Sequence, residues 1–185
     1  MQKKTIIWIV VVVVIAVAVV IAMKWNYYGP APKLEEQISK PSNTAALGAS
    51  AVSTSGIVIT PEGKAARNDV KPMSPEAPQE SLPITDKSSI SQDKIDIKVS
   101  SEGISPKEFR VKANAVTNLL VSSGDQFTHL FKFQDPSLSA IAVGIGPGDP
   151  TRLITFNAPL KGEYQYLCDV PGHAGRGESG KMIVE

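Results

Sequence analysis

The sequence predicts an all-β fold, a small sandwich, in the C-terminal half of this 185-residue chain, residues 93–185. Apolar residues alternate with polar ones there, as at Ile95, Ile97 and Val99, and a period of two is typical of strands that bury one face. Turn signals, such as the Gly-Pro-Gly-Asp of residues 146–149, separate these stretches. All five phenylalanines also follow residue 92, so this half holds the residues of a core.

Seven strands are predicted from the alternation. Phe131 and Phe133, for example, flank Lys132, so one face of that strand would bury both rings. The length of this half suits one small sandwich. The predicted strands lie near residues 94–99, 108–112, 117–122, 129–134, 151–157, 162–168 and 180–184.

The N-terminal residues 1–28 are predicted to be a membrane anchor. Residues 6–23 are apolar and uncharged, and at ~1.5 Å per residue they span about 27 Å as a helix, close to the ~30 Å of a bilayer core. Lys3 and Lys4 precede this run, and Trp25 follows it, as at a membrane interface. The alternative is a cleaved signal peptide, whose apolar region is usually shorter. Both interpretations place the rest of the chain outside the cytoplasm, and the anchor implies a single-pass protein of the cell membrane.

Residues 29–92 are predicted to be a disordered linker rich in Pro, Ser and Ala. They contain eight prolines, ten serines and no aromatic residue. Such a segment cannot bury enough apolar surface to offset its chain entropy. Residues 56–60, Gly-Ile-Val-Ile-Thr, leave two interpretations open: an apolar spot within a linker, or a short paired strand.

Charge and cysteine content exclude several classes of protein. The net charge of +1 gives no basic excess of the kind that nucleic-acid binders show, so no nucleic-acid partner is expected. A single cysteine excludes an intramolecular disulfide, and it excludes zinc sites built on two or more cysteines.

Three side chains carry the predicted chemistry: Cys168, His173 and His129. Cys168 ends an apolar strand, and His173 follows five residues later, after a Pro-Gly turn. A thiolate and an imidazole at the ends of a short loop can bind one metal ion, and copper suits both. The remaining histidine, His129, can supply a second imidazole. Three alternatives stay open: a cysteine that is only a small core residue, a Cys-His nucleophile, or zinc in place of copper.

Residues 162–173 read G-E-Y-Q-Y-L-C-D-V-P-G-H. They resemble the ligand loop of the cupredoxins, the plastocyanin- and azurin-like family of blue-copper proteins. Weaker similarity lies in residues 104–111, 128–131 and 180–184, so the resemblance covers about half of the chain, residues 93–185.

The resemblance implies a Greek-key β-sandwich that binds one mononuclear copper ion. Its near-planar ligands would be His129, Cys168 and His173. A methionine usually follows the second histidine of the family and binds axially, whereas here Glu178 takes that position. Two alternatives remain: Met182 is a displaced axial ligand, or Glu178 is solvated and copper is three-coordinate or capped by a backbone carbonyl.

A second departure from the family concerns the residues that brace the two ligand loops. An asparagine often follows the first histidine, and a threonine or serine often follows the cysteine. Leu130 and Asp169 occupy those places here. The sequence therefore leaves the rigidity of the site open, because contacts around the ligands fix their orientation.

The function that the resemblance implies is one-electron transfer. With the anchor, the chain would be a membrane-tethered copper protein that carries electrons between redox partner proteins outside the cytoplasm. The alternative is a copper-binding module for copper storage, copper delivery or small-molecule sensing. No enzymatic activity is expected, because the sequence offers neither a second metal site nor an acid/base pair.

Overall fold

The structure, a computed structural model, describes residues 49–84 and 94–185. The predicted anchor of residues 1–28 lies outside the described residues. Across the two described ranges, no helix is both long and apolar enough to span a bilayer. The prediction of an all-β fold is confirmed, because the described residues form strands joined by turns and two short 3-10 segments.

Eleven strands are present in the described residues, numbered in chain order. Their bounds are β1 (Ala51–Val52), β2 (Val58–Ile59), β3 (Lys94–Ser100), β4 (Gly103–Ser105), β5 (Glu108–Val111), β6 (Val116–Ser123), β7 (His129–Phe133), β8 (Ala142–Ile145), β9 (Arg152–Asn157), β10 (Gly162–Cys168) and β11 (Ser179–Val184).

Two larger sheets face each other across one apolar core. A five-stranded sheet has the order β5-β11-β10-β7-β8, and a four-stranded sheet has the order β4-β3-β6-β9. Ile97 and Leu119 of the four-stranded sheet share their buried cluster with Phe131, Tyr166 and Met182 of the five-stranded sheet. Two sheets around a common core make a β-sandwich.

The strand directions bring several strand ends together at one end of the five-stranded sheet. β10 pairs antiparallel with both β7 and β11. Cys168, at the end of β10, therefore lies opposite Phe131 near the start of β7, and Leu167 lies opposite Ser179, the first residue of β11. The end of β10 and the starts of β7 and β11 consequently meet at one end of the sandwich.

All seven predicted strands are present, with bounds within one residue of the prediction. The prediction missed β4 and β8 in this half of the chain. β8 alternates in burial like its neighbours, but its outward positions hold Ala142 and Gly144 instead of polar residues, so the sequence shows no apolar-polar contrast there. β4 has only three residues, too few for a periodic pattern.

The prediction of a disordered linker is wrong for residues 49–84, which we call the strap. Residues 56–60 contain β2, which pairs with β1, so the paired-strand interpretation is the correct one. The strap then follows the outer edge of β9: Ser81 N–H donates to Leu153 O at 2.8 Å, and Ile84 N–H donates to Thr151 O at 2.9 Å. The strap needs no core of its own, because it binds to the edge of a finished sheet.

Apolar contacts also hold the strap against the four-stranded sheet. Ala49 and Ile84 of the strap form a small buried cluster with Leu120 of β6 and Leu153 of β9. The rest of the predicted linker, residues 29–48 and 85–92, lies outside the described residues.

Gly180 in β11 provides a test of the core packing. A Cβ on Gly180 would lie 2.5 Å from the Tyr166 ring and 2.6 Å from the backbone oxygen of Lys107. We expect Gly180→Ala to lower the free energy of unfolding by about 1–3 kcal/mol, because the neighbouring strand must shift. Denaturant unfolding of the metal-free full-length protein measures this change. Gly144→Ala in β8 is the matched control, since nothing lies within 4 Å of its Cβ; equal losses for both variants would contradict the clash.

Candidate metal centre

Four potential metal ligands converge where β7, β10 and β11 meet. His129 begins β7, Cys168 ends β10, and Glu178 directly precedes β11. His173 lies in the loop between β10 and β11. The structure thus brings together all four residues that the sequence singled out, with one donor atom of each within 4.8 Å of the others.

The loop between β10 and β11 brings two of these donors, His173 and Glu178, close together. The chain turns at Gly172, whose φ of 83° is a left-handed value that glycine adopts without strain. A single 3-10 turn over Ala174–Arg176 follows, and Gly177, with φ of 92°, ends it. This compact path brings Glu178 back beside His173.

The donor separations match a single bound ion. Cys168 Sγ lies 3.8 Å from His129 Nδ1 and 3.5 Å from His173 Nδ1. Glu178 Oε2 lies 2.9 Å from His129 Nδ1 and 3.0 Å from His173 Nδ1. Donors that each bind one transition-metal ion at ~2.0–2.3 Å are themselves roughly 3–4 Å apart. The residues present therefore fit one metal ion.

The donor chemistry points to copper among the transition metals. One thiolate, two imidazoles and one carboxylate combine a soft ligand with intermediate and hard ones. His129, Cys168 and Glu178 are fully buried, whereas the side chain of His173 is 12% exposed. Two potentially negative donors buried together need a cation to offset their desolvation, and a bound metal ion supplies it.

Burial and local hydrogen bonds act in opposite directions on the two acidic donors. Burial raises the pKa of the Cys168 thiol, although the N–H of Leu130, 3.3 Å from Sγ, favours the thiolate. Burial also opposes ionisation of Glu178, but its contacts with His129 and Cys168 outweigh burial and lower its pKa. The carboxylate is therefore charged at neutral pH, while the thiol must lose its proton when a metal binds.

Two residues that the sequence analysis missed contact the donors from outside. Arg176 donates from Nη2 to Glu178 Oε1 at 2.9 Å, and its guanidinium lies over the exposed ring of Phe127. Asp125 Oδ1 lies 2.9 Å from Nε2 of His129. No sequence signal identifies either residue, because each contact depends on how a loop folds back onto the site.

Met182 occupies the core. It is fully buried in the cluster shared by the two sheets and pairs with Tyr164 and Phe109 on the flanking strands. It lies four positions after Glu178 along an extended strand, which at ~3.3 Å per residue places it about 13 Å away. This position favours the interpretation of Met182 as a core residue.

Backbone contacts and one ion pair brace the ligand loops at Leu130 and Asp169. Asp169 N–H donates to Leu130 O at 2.8 Å, and Leu130 N–H approaches Cys168 Sγ. Lys132 on β7 also pairs with Asp169 across the two loops at 2.9 Å. The structure thus shows direct links between the loop of the first histidine and that of the cysteine.

The family model of the cupredoxin-like domain matches residues 81–184. No curated protein matches the chain. Among solved structures, the chain is similar to a dithionite-reduced auracyanin from the photosynthetic bacterium Roseiflexus castenholzii, with 23% identity over 52% of this chain and 99% of that one, at a TM-score of 0.41.

Two further solved structures are similar in the same half of the chain. Auracyanin A, a "blue" copper protein from the green thermophilic photosynthetic bacterium Chloroflexus aurantiacus, is 21% identical over 50% of this chain and 99% of its own, at a TM-score of 0.39. The reduced Cu(I) form of an amicyanin variant is 17% identical over 56% of this chain and 92% of its own, at a TM-score of 0.40.

Proposed function

The chain belongs to the cupredoxin-like domain family, and on that premise we propose that it carries single electrons between redox partner proteins. Cupredoxin domains bind one copper ion, and the cupredoxins are blue copper proteins that transfer electrons to redox partners. The observation that carries the proposal for this chain is the convergence of His129, Cys168, His173 and Glu178 on one point.

The four donors would hold the copper ion, with Glu178 in the place of the usual axial methionine. Copper supplies a one-electron change between Cu(I) and Cu(II). The thiolate of Cys168 and the imidazoles of His129 and His173 suit both oxidation states. Three donors are buried inside the sandwich, and the braced loops keep all four in place, so little rearrangement would accompany electron transfer.

His173 is the proposed route between the site and a partner. Its side chain is the most exposed of the four donors, at 12%. Pro171 and Ala174 are exposed beside it, and Phe127 is 51% exposed nearby under Arg176. A small apolar surface around a redox-active ring suits brief contact with another protein.

We further propose that the N-terminal apolar segment anchors the chain in the cell membrane, with the copper domain on the extracytoplasmic side. The support is the uncharged run of residues 6–23. Tethering would keep the domain at high local concentration near membrane-bound partners. Retention of the full-length chain in alkali-washed membranes, with the domain open to external protease, tests this proposal; release into the wash contradicts it.

A second candidate function is copper storage, delivery or small-molecule sensing. The charged carboxylate of Glu178 favours it, because a hard anionic ligand strengthens the preference for Cu(II) and suits a site that keeps or exchanges metal. The burial of His129, Cys168 and Glu178 argues against it, since an exogenous ligand has little access to the ion.

Electron self-exchange and ligand binding distinguish the two functions. We expect the copper-loaded full-length protein to self-exchange electrons rapidly and to keep its visible spectrum when azide or nitric oxide is added. His173→Gly is the control, because removing the exposed ring opens a coordination position and should admit azide. Slow self-exchange together with azide binding by the wild-type protein would refute electron carriage and support the second function.

A further inference from the structure

The imidazole of His129 has a partner on each of its nitrogens. Nδ1 faces the donor cluster, 2.9 Å from Glu178 Oε2, and Nε2 lies 2.9 Å from Asp125 Oδ1. The ring is fully buried, so neither nitrogen can turn to water instead. A neutral imidazole carries one proton, and the carboxylate of Asp125 is an acceptor only. The carboxylate of Glu178 is an acceptor as well, so the proton is assigned to Nε2 for the state in which Nδ1 gives its lone pair to a metal ion.

Asp125 is itself held in place by the backbone. Phe127 N–H donates to Oδ1 at 2.9 Å, and Ser101 N–H donates to Oδ2 at 2.5 Å. Ser101 belongs to the turn between β3 and β4, whereas Asp125 and Phe127 belong to the loop before β7. The side chain of Asp125 is 19% exposed. The carboxylate is thus fixed by two separate turns and presents one oxygen to His129.

We infer that Asp125 is a positioning residue of the copper site, one that acts through His129 on the relative stability of the two copper oxidation states. A carboxylate bonded to the far nitrogen of a metal-binding imidazole fixes the tautomer and makes the ligand more basic. A more basic imidazole, with a negative charge behind it, stabilises Cu(II) more than Cu(I). This inference rests on the proposed function, because it concerns the same copper ion.

Replacing Asp125 with asparagine tests the inference in the copper-loaded full-length protein. Asn keeps the shape and one acceptor oxygen but removes the charge. We expect Cu(II) affinity to fall by about 10–100-fold and Cu(I) affinity to fall less, so the reduction potential rises. Each tenfold difference between the two affinities corresponds to about 59 mV for one electron. Asp125→Glu, which keeps the charge, should return the potential toward the wild-type value.

Asp135→Asn is the matched control. Asp135 Oδ1 accepts the N–H of Ser137 at 2.9 Å, as Asp125 accepts that of Phe127, but Asp135 lies beyond the opposite end of β7 from His129. Asp135→Asn should keep the wild-type affinities for Cu(I) and Cu(II) and the wild-type reduction potential. Equal losses of Cu(I) and Cu(II) affinity in Asp125→Asn, with an unchanged potential, would show that Asp125 only supports the loop and would overturn the inference.

A measurement on the wild-type protein covers the case in which Asp125→Asn does not fold. Nitrogen-15 NMR of the Cu(I) form should show the proton of His129 on Nε2, slow to exchange with water. A proton on Nδ1, or none on Nε2, would overturn the inference. Failure of the proposed function is seen separately, because wild-type protein that binds no copper gives neither a thiolate absorption band nor a potential.

Discussion

Replacing Cys168 with serine is expected to abolish the intense visible absorption of the copper-loaded protein and most of its affinity for Cu(I). The sulfur supplies the thiolate whose charge transfer to Cu(II) gives that absorption, and a serine hydroxyl stays protonated at neutral pH. Cys168 Sγ lies within 3.8 Å of both histidine Nδ1 atoms, so no other sulfur can take its place without moving a strand. The affinity loss should exceed the roughly 10–100-fold that is typical of losing a residue around the ligands.

Met182→Leu is the control for this prediction. It removes the sulfur of β11 from the core with little change in volume. We expect its absorption band and reduction potential to match those of the wild type. Circular dichroism should show that both Met182→Leu and Cys168→Ser keep the fold. A band that survives Cys168→Ser would refute the proposed ligand set, and a change of both band and potential in Met182→Leu would contradict the assignment of Met182 as a core residue only.

Replacing Glu178 with glutamine is expected to raise the reduction potential and to shift the visible spectrum toward that of an ordinary blue site. The carboxylate is a hard, charged ligand that favours Cu(II), and Oε2 lies 3.0 Å or less from both histidine Nδ1 atoms. Glutamine keeps the size of the side chain but removes the charge. If the affinity for Cu(II) falls tenfold or more relative to the affinity for Cu(I), the reduction potential rises by about 59 mV or more. Redox titration and visible spectroscopy of the full-length protein measure both effects.

Glu163→Gln is the matched control, since Glu163 is an exposed carboxylate on β10 that pairs with Lys181. It should leave spectrum and potential unchanged. Protonation of Glu178 in the wild type should produce the same shift as the glutamine variant. Contacts with His129 and Cys168 lower the pKa of Glu178 in the metal-free site, and a bound cation acts in the same direction, so this change should begin only below the ordinary carboxyl range. The hypothesis fails if Glu178→Gln alters neither the spectrum nor the potential.

The sequence predicted the sandwich strands because alternation is a short-range pattern, and it predicted the four donors because residues 162–173 resemble the ligand loop of a known family. The alternation around Phe131 and the spacing of Cys168 and His173 depend on neighbours a few residues away. Glu178 followed from aligning residues 180–184 with the last strand of that family, and the structure has this strand as β11. The strands need no knowledge of how distant segments meet, whereas for the donors the resemblance supplied it.

The features that escaped prediction depend on distant partners. The strap has too few apolar residues for a core of its own, yet it binds because the edge of β9 offers backbone groups to Ser81 and Ile84. The contact of Asp125 with His129 depends on the path of one loop and on the orientation of a ring. Composition measures what a segment can bury by itself and omits what another part of the chain supplies to it.

The place of β11 in the five-stranded sheet sets an order of events during synthesis. β11 follows every donor in the chain, lies between β5 and β10, and pairs with both. A growing chain that has reached Glu178 holds every donor, but the sheet that would align them still lacks an inner strand. We therefore expect metal insertion to follow synthesis of β11, and a chain cut between Glu178 and Ser179 would carry all four donors without the strand that aligns them.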